Sequence, residues 1–327
     1  ARATLRIADT RCPHDGRIQV SVGGRAVDLR VSTLPTMFGE SCVLRILDRS
    51  VVSLDLENLG LRRQELDELR RLNALPHGII LVTGPTGSGK TTTLYAALKE
   101  ANDETVKTIT TEDPVEYDLD GIIQVPVNEE IGVTYAKVLR TILRQDPDKI
   151  LVGEIRDLET AKTAVEASLT GHLVFSTLHT NDAPSAIMRL VDMGVEPYLI
   201  TATLQAIVAQ RLVRRICPHC KTGFTPGKEV LTELDLREED VAGREFHYGK
   251  GCERCNHTGH LGRMGLFEIM TVSEPLREQI LDLAPLERLR RTAREQGMRT
   301  LRESGLAAIF DGWTTVEEVL RETFIAG

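Results

Sequence analysis

The chain has 327 residues, which is enough for two or three domains with cores of their own. Its apolar content of 41% and charged content of 27% are typical of globular proteins and exclude a disordered chain. No apolar run is long enough to span a membrane as a helix. The net charge of −8 and the aromatic content of 4% argue against a nucleic acid as the main partner.

Residues 1–52 alternate polar and apolar side chains in short runs, the pattern of strands with one buried face. The runs are residues 17–22, 26–31 and 43–47. Gly23-Gly24 separates the first two runs and predicts a hairpin. We therefore predict a small β-rich domain, and we expect the natural chain to extend further upstream. Residues 53–60 are predicted to be a linker that serves as a hinge.

Residues 61–216 form a predicted α/β domain, in which strands alternate with helices. The predicted strands are 78–83, 105–110, 122–126, 149–153 and 172–177. The predicted helices are 61–75, 90–100, 134–144, 158–169, 184–193 and 198–216. Such alternation is typical of a mostly parallel sheet covered on both faces, and ligands bind at the carboxyl ends of its strands.

A glycine-rich segment follows the first predicted strand of this domain and opens its helix. It matches G-x-x-x-x-G-K-[ST], a loop whose backbone N–H groups bind phosphates at a helix N-terminus. We expect Lys90 to reach the outer phosphates and Thr91 to bind Mg²⁺. The predicted nucleotide-binding residues are Gly84, Pro85, Thr86, Gly87, Ser88, Gly89, Lys90, Thr91 and Thr92. A chance glycine turn is the alternative, which the flanking strand and helix disfavour.

Acidic residues follow two of the predicted strands. Glu154 comes after a buried strand, where an acid polarises the attacking water or holds the Mg²⁺ shell. The alternative is a solvated acid near the helix start at Asp157. Glu112 begins a second acidic segment, and we expect it to support the metal or the water. Here the alternative is an acidic surface turn, in which Asp113 shapes the chain before a proline.

Two histidines flank the last predicted strand. His179 follows its carboxyl end, so we expect this side chain to sense the terminal phosphate of a nucleotide. His172 lies at the opposite end, and structural and functional roles are equally open for it. Both residues belong to the strand segment 171–183.

Four of the six cysteines form two CxxC pairs, which favour one tetrahedral Zn²⁺ bound through four thiolates. The predicted ligands are Cys217, Cys220, Cys252 and Cys255. Since four thiolates leave no open position, the zinc is expected to be structural. The alternatives are unrelated reduced thiols, or a histidine ligand from among His219, His257 and His260. We predict a tetracysteine subdomain over 217–263 and a helical subdomain over 264–327, with helices at 274–282, 286–296, 300–310 and 315–323.

Several motifs in this order resemble the secretion-superfamily ATPases of the GspE and PilB type, which serve type II secretion and type IV pilus assembly. They are GPTGSGKT (84–91), TEDPVEYDLDG (111–121), LRQDPDKILVGEIRDLETA (143–161) and GHLVFSTLHTNDA (171–183). The second resembles the aspartate box of that family and the last its histidine box. Residues 14–48 resemble the end of its N-terminal sensory domain, a PAS-like domain, and 61–216 its RecA-like ATPase domain.

The resemblance implies a homo-hexamer that holds ATP between the β-rich domain and the RecA-like domain. It also implies arginines that neutralise the triphosphate, which by position are Arg30 and Arg45. Without the resemblance, both would be taken as strand-surface residues. Arg140, Arg144 and Arg156 are further candidates at the site or at a subunit interface. The cysteine pairs are typical of assembly ATPases and not of PilT-like retraction ATPases.

The sequence therefore predicts a Mg-ATP-hydrolysing motor for export or pilus extension, located in the cytoplasm at the inner membrane. The resemblance implies inner-membrane platform proteins as partners, with no direct nucleic acid and membrane contact only through partners. One alternative is a RecA-like nucleic-acid-dependent ATPase with a zinc ribbon. A second is a nucleotide-sensing scaffold that does not hydrolyse ATP.

Overall fold

The computed structural model describes residues 11–22, 25–48, 54–241 and 243–323, which fall into two compact units, 1–53 and 54–327. The first unit is an antiparallel sheet of three strands, β1 (His14–Val22), β2 (Arg25–Thr36) and β3 (Gly39–Asp48), in that order. Val22 lies opposite Arg25, while the predicted Gly23-Gly24 turn between them lies outside the described residues.

The second unit contains the remaining helices and strands. In chain order they are α1 (Arg63–Asn73), β4 (Gly78–Thr83), α2 (Lys90–Glu100), β5 (Thr108–Glu112), β6 (Ile123–Pro126), α3 (Tyr135–Ile142), β7 (Lys149–Val152), α4 (Leu158–Leu169), β8 (Leu173–Leu178), α5 (Ala183–Asp192), α6 (Pro197–Thr203), β9 (Leu204–Ile216), β10 (Lys221–Phe224), α7 (Lys228–Glu233), β11 (Phe246–Gly249), β12 (His260–Thr271), α8 (Glu274–Leu281), α9 (Leu286–Glu295), α10 (Leu301–Phe310) and α11 (Val316–Glu322).

Seven strands form the main sheet, in the order β12-β9-β4-β8-β7-β5-β6. All neighbouring pairs are parallel except β12 and β9. One buried apolar cluster packs helices α3, α4 and α5 on one face, and a second packs α1 and α2 on the other. This parallel-rich sheet with helices on both faces confirms the predicted α/β class.

The strand and helix that flank the glycine loop have the bounds that the sequence predicts. Every residue of β4 is buried, as expected for a central parallel strand read as a continuous apolar run. The predicted bounds of α4 are also correct, because Asp157 caps the helix by accepting a hydrogen bond from Thr160 N at 2.8 Å. The four C-terminal helices occur where predicted, with ends that differ by one residue.

The helix predicted over 198–216 is wrong beyond Thr203. Residues 204–216 form β9, which lies between β4 and β12. Ile207, Val208 and Ala209 are fully buried, so this strand is apolar on both faces. Such a run lacks the alternation of a half-buried strand and cannot be distinguished from a buried helix by periodicity.

Strand β12 was missed from the sequence pattern. It pairs antiparallel with β9, with Phe267 opposite Gln210, and forms one edge of the main sheet. The predicted subdomain boundary between residues 263 and 264 falls inside this strand. The polypeptide thus returns from the cysteine-containing segment to the main sheet before the C-terminal helices begin.

Residues 54–60, which were predicted to be part of a hinge linker, pack onto the second unit. Leu56 is 1% exposed in the cluster that includes α1 and α2. Leu59 O accepts a hydrogen bond from Gly265 N at 2.7 Å, which covers part of the free edge of β12. This part of the predicted linker is therefore a fixed element of the second unit.

None of the helices in the described part of the chain is long and apolar enough to cross a membrane.

Candidate functional site

The glycine loop lies between β4 and α2 and packs against β9. Gly84, Gly87 and Gly89 have φ angles of 149°, 81° and 90°, which side-chain-bearing residues rarely adopt. A Cβ on Gly84 would lie 2.5 Å from Gln210 O, and one on Gly89 would lie 2.8 Å from Gln210 Nε2. A Cβ on Gly87 would meet nothing within 4 Å, so the outer side of the loop is open.

Lys90 begins α2 and folds back over the loop. Its Nζ donates hydrogen bonds to Gly84 O at 2.8 Å and to Pro85 O at 3.1 Å. Burial lowers the pKa of Lys90, whereas the negative charge of Glu154 raises it. Lys90 is thus held at the open loop, at the positive end of a helix dipole and within the field of Glu154.

The other predicted loop residues surround the same opening. Pro85 and Thr86 are exposed, whereas Ser88 is buried beneath them. Thr91 and Thr92 are half-buried in the first turn of α2. This cradle has the form and the donor groups that a triphosphate with Mg²⁺ requires: a helix N-terminus, a lysine and a threonine hydroxyl.

The carboxyl ends of β5, β7 and β8 are joined by hydrogen bonds in addition to the pairs of the sheet. Gly153 N donates to Thr111 O at 2.8 Å, and Ile155 N donates to Thr177 O at 3.1 Å. Thr177 Oγ1 in turn donates to Gly153 O at 2.7 Å. These bonds fix the segments that carry the predicted acids and histidine at one edge of the sheet, as expected for parallel strands.

Glu154 and His179 meet at this edge. His179 Nε2 lies 3.1 Å from Glu154 Oε2, and Arg156 forms an ion pair with the other carboxylate oxygen. Burial raises the pKa of Glu154, but Arg156 and His179 lower it below its usual value. The carboxylate, 15% exposed, is therefore ionised at neutral pH and able to accept a proton or a hydrogen bond from water.

Glu112 is 4% exposed at the end of β5, which argues against the surface-turn alternative. Tyr95 and Thr110 donate hydroxyl hydrogen bonds to its carboxylate, and Gln124 Nε2 donates another at 3.1 Å. Burial and the neighbouring Glu112 raise the pKa of Tyr95, which keeps this phenol protonated as a donor. Because three side chains already donate hydrogen bonds to the Glu112 carboxylate, this carboxylate is fixed in position and suited to support the groups beside it.

The other candidate residues lie apart from this arrangement. His172 is at the opposite end of β8, where its Nδ1 lies 2.8 Å from Ala167 O. This contact stabilises the turn after α4. Arg140 forms a surface ion pair with Glu159, with 2.6 Å between nitrogen and oxygen. Arg144 is exposed just beyond the end of α3.

Arg30 and Arg45 lie in the first unit. They are directly opposite each other on the neighbouring strands β2 and β3, and Arg17 of β1 is opposite Arg30. Residues directly opposite in an antiparallel sheet share one face, so Arg30 and Arg45 lie on the same face of this sheet.

Gln210 and Arg211 of β9 support the site and were missed because their segment was predicted to be a helix. Gln210 Oε1 accepts a hydrogen bond from Thr93 Oγ1 at 2.8 Å, beneath the glycine loop. Arg211 Nη2 donates to Asn181 O at 3.0 Å, and burial lowers the pKa of this guanidinium. A glutamine and an arginine inside an apolar run are the sequence signal that could have identified them.

The four predicted cysteine ligands are brought together. Their sulfur atoms all lie within 4.8 Å of one another, and the Cys217–Cys252 and Cys220–Cys255 pairs are each 3.9 Å apart. Thiolates around a tetrahedral Zn²⁺ with bonds of about 2.3 Å are separated by about 3.8 Å. The donor set and its spacing therefore fit zinc, and no histidine is needed to complete the site.

The cluster lies where the chain leaves β9 and returns into β12. Cys217 N donates a hydrogen bond to Gly259 O at 2.9 Å, which joins the two ends of the intervening segment. Cys252 N and Gly259 N point at Cys255 Sγ, at 3.2 and 3.3 Å. Burial raises the pKa of Cys255, but these donors lower it to about 6, which favours the thiolate that a metal requires.

Comparisons with known proteins agree with this arrangement. The model of the family described as "Type II/IV secretion system protein" matches residues 1–321. The chain is 50% identical to the type II secretion system ATPase E of Vibrio cholerae, over 98% of this chain and 63% of that protein. It is 48% identical to the type IV pilus assembly ATPase PilB of Thermus thermophilus, over 98% of this chain and 36% of that protein.

A solved structure described as the pilus retraction motor PilT with bound ADP has a TM-score of 0.69. It is 28% identical, and the match covers 96% of this chain and 78% of that one. The ATPase DotB of Yersinia pseudotuberculosis, with a TM-score of 0.70 and 22% identity over 96% and 76% of the two chains, shares the fold. The chain spans between about a third and two thirds of the length of the curated relatives named above. The glycine loop, the acids, the histidine segment and the match over residues 1–321 show that the chain belongs to the Type II/IV secretion system protein family.

Proposed function

We propose that this chain is the motor part of a Mg-ATP-hydrolysing protein that drives type II secretion pseudopilus or type IV pilus assembly. The observation that carries the proposal is the hydrogen bond between His179 and Glu154, at the sheet edge where Lys90 begins α2. A nucleotide-binding loop alone supports only binding, whereas an ionised carboxylate beside it supports hydrolysis.

Each residue of the site has a distinct part in the proposed reaction. ATP supplies the phosphoryl group, and Mg²⁺ neutralises the charge on its oxygens. Lys90 and the backbone N–H groups of the loop bind the phosphates, while Thr91 provides a hydroxyl for the metal. Glu154 orients the attacking water through its carboxylate. His179 contacts Glu154 and responds to the terminal phosphate, and Glu112 supports the metal or the water.

Assembly and partners are proposed from the relatives. The chain works as a homo-hexamer at the cytoplasmic side of the inner membrane, in contact with platform proteins of a secretion or pilus machine. Arg30 and Arg45 are proposed to neutralise the triphosphate, as the resemblance implies. The four cysteines bind a structural Zn²⁺. Residues 61–216 are proposed as the RecA-like domain, extended by β12 on its outer edge.

Substitution of Glu154 tests the proposal. Glu154→Gln keeps the size of the side chain but removes its negative charge, so turnover of Mg-ATP should fall at least a hundredfold. The dissociation constant for ATP should stay within about threefold, because the glycine loop is unchanged. Glu159→Gln is a matched control, since Glu159 is an exposed acid near the start of α4 that pairs with Arg140.

Turnover by phosphate release and affinity by nucleotide titration would be measured on the same preparations. The control should retain turnover within twofold. Hydrolysis that survives Glu154→Gln unchanged would contradict the assigned role, and a wild-type protein that binds but does not hydrolyse ATP would indicate a nucleotide-sensing scaffold.

A further inference from the structure

Residues 179–182, the histidine segment, include His179. One side of this segment is held by contacts near the glycine loop. Thr180 N donates a hydrogen bond to Thr83 Oγ1 at 2.9 Å, at the end of β4. The guanidinium of Arg211 donates to both the backbone and side-chain oxygens of Asn181, at 3.0 and 3.2 Å. These contacts come from β4 and β9, the strands that also support the loop.

The far end of this histidine segment is fixed by a buried carboxylate on β12. Glu268 is 3% exposed, and its two oxygens accept hydrogen bonds from Ala183 N at 2.7 Å and Leu301 N at 3.1 Å. Ala183 and Leu301 are the first residues of α5 and α10. Their N–H groups have no partners within their own helices, and both helix ends carry partial positive charge. One carboxylate therefore joins two helix N-termini.

A second contact ties the same end of the segment to α9. Asp182 is buried, and its Oδ1 accepts a hydrogen bond from Ser185 N at 2.9 Å, which caps α5. Its Oδ2 lies 2.5 Å from Arg290 Nη2. The residues immediately after His179 are thus held by α9, β12 and α10, which all belong to the C-terminal part of the chain.

We propose that Glu268 is a positioning residue that fixes the end of the histidine segment against α10, so that His179 stays in contact with Glu154. The inference rests on the proposed function, in which this contact belongs to the hydrolytic site. A charged group is costly to bury without partners, and here the cost is offset by two unpaired backbone donors. Glutamine has the same size, but only its amide oxygen accepts hydrogen bonds, so it cannot pair with both backbone N–H groups through its two terminal groups.

Glu268→Gln tests the inference at about pH 8.5, where the Glu268 carboxylate is ionised and accepts from both backbone N–H groups. The amide offers one acceptor oxygen and sets an NH₂ group against the second backbone N–H. We expect kcat for ATP to fall about tenfold with KM within twofold, since the phosphate-binding loop is untouched. Hydrogen exchange at the Ala183 amide should become about tenfold faster. Glu268→Asp keeps two acceptor oxygens on a shorter side chain and should restore part of both losses.

The matched control is Glu303→Gln. Glu303 accepts a hydrogen bond from Thr300 N at 2.8 Å and so supports the start of α10 without contacting the histidine segment. It should leave kcat within twofold even where it lowers the melting temperature. Equal losses of kcat in the Glu268 and Glu303 variants, or unchanged exchange at Ala183 in Glu268→Gln, would overturn the inference. Absent turnover in the wild-type protein would instead refute the proposed function, while the exchange measurement still tests the position of the segment.

Discussion

Removal of zinc from the four-cysteine cluster should destabilise the second unit strongly. The Cys217 and Cys255 positions are 38 residues apart in the sequence, and their thiols lie in one cluster. A cross-link that closes a loop of about this length lowers the entropy of the unfolded chain by the equivalent of about 4 kcal/mol. For a unit of this size, about 4 kcal/mol corresponds to a fall in melting temperature of roughly 8–15 °C.

The assay is thermal unfolding followed by intrinsic fluorescence, before and after removal of the metal with a chelator, together with a metal assay. We expect one zinc per chain, its loss in Cys252→Ser, and the same fall in melting temperature for the chelated wild-type protein and the variant. Cys42→Ser is the control, since Cys42 is an exposed cysteine on β3 outside the cluster. A zinc-free wild-type protein that melts within 2 °C of the zinc-bound one would refute the structural role of the metal.

Three further predictions concern the loop and two buried acids. Gly89→Ala should weaken ATP binding at least tenfold in a nucleotide titration, because a φ of 90° and a contact at 2.8 Å with Gln210 Nε2 both oppose a Cβ; unchanged affinity would contradict this. Arg214→Ala should lower the free energy of unfolding by about 2 kcal/mol near pH 7, since it removes two side-chain hydrogen bonds to the Glu318 carboxylate. Burial raises the pKa of Glu318, but Arg214 lowers it below 4.5. The loss of unfolding free energy in Arg214→Ala should therefore shrink in denaturant titrations below pH 4, where Glu318 becomes protonated. A loss that is independent of pH would contradict the pairing. Burial raises the pKa of Glu268 to about 7, so the folded chain retains a proton that the unfolded chain releases above about pH 4.5. The stability of the wild-type protein relative to Glu268→Gln should therefore decrease as pH rises from about 4.5 to 7, by up to about 3 kcal/mol, and a flat difference would contradict the shift.

Local signals in the sequence were sufficient for the part of the fold that carries the glycine loop. The apolar run of β4, the glycines and the helix-compatible run of α2 each specify their own conformation, and they agree with one another. The placement of Glu154 and His179 at one edge followed from a general property of parallel sheets. Those predictions needed no knowledge of which strands are neighbours.

The missed features depend on contacts between distant parts of the chain. β9 is apolar on both faces because β4 and β12 flank it and helices cover it, and its own pattern does not reveal this. β12 begins at His260, inside the predicted tetracysteine subdomain, where motifs for metal binding dominate the pattern. Arg211 therefore acquires its partner Asn181 through the pairing of β9 with β4, and Glu268 acquires Ala183 through the pairing of β12 with β9.

The most direct test of the central claim is a structure of this chain with Mg²⁺ and a non-hydrolysable ATP analogue. We expect Lys90 Nζ to leave the carbonyl oxygens of its own loop for the outer phosphates. We also expect a water held between the terminal phosphate and the Glu154 carboxylate, with His179 still in contact with Glu154. Phosphates bound away from the glycine loop, or a Glu154 side chain directed away from the terminal phosphate, would contradict the proposed hydrolytic site.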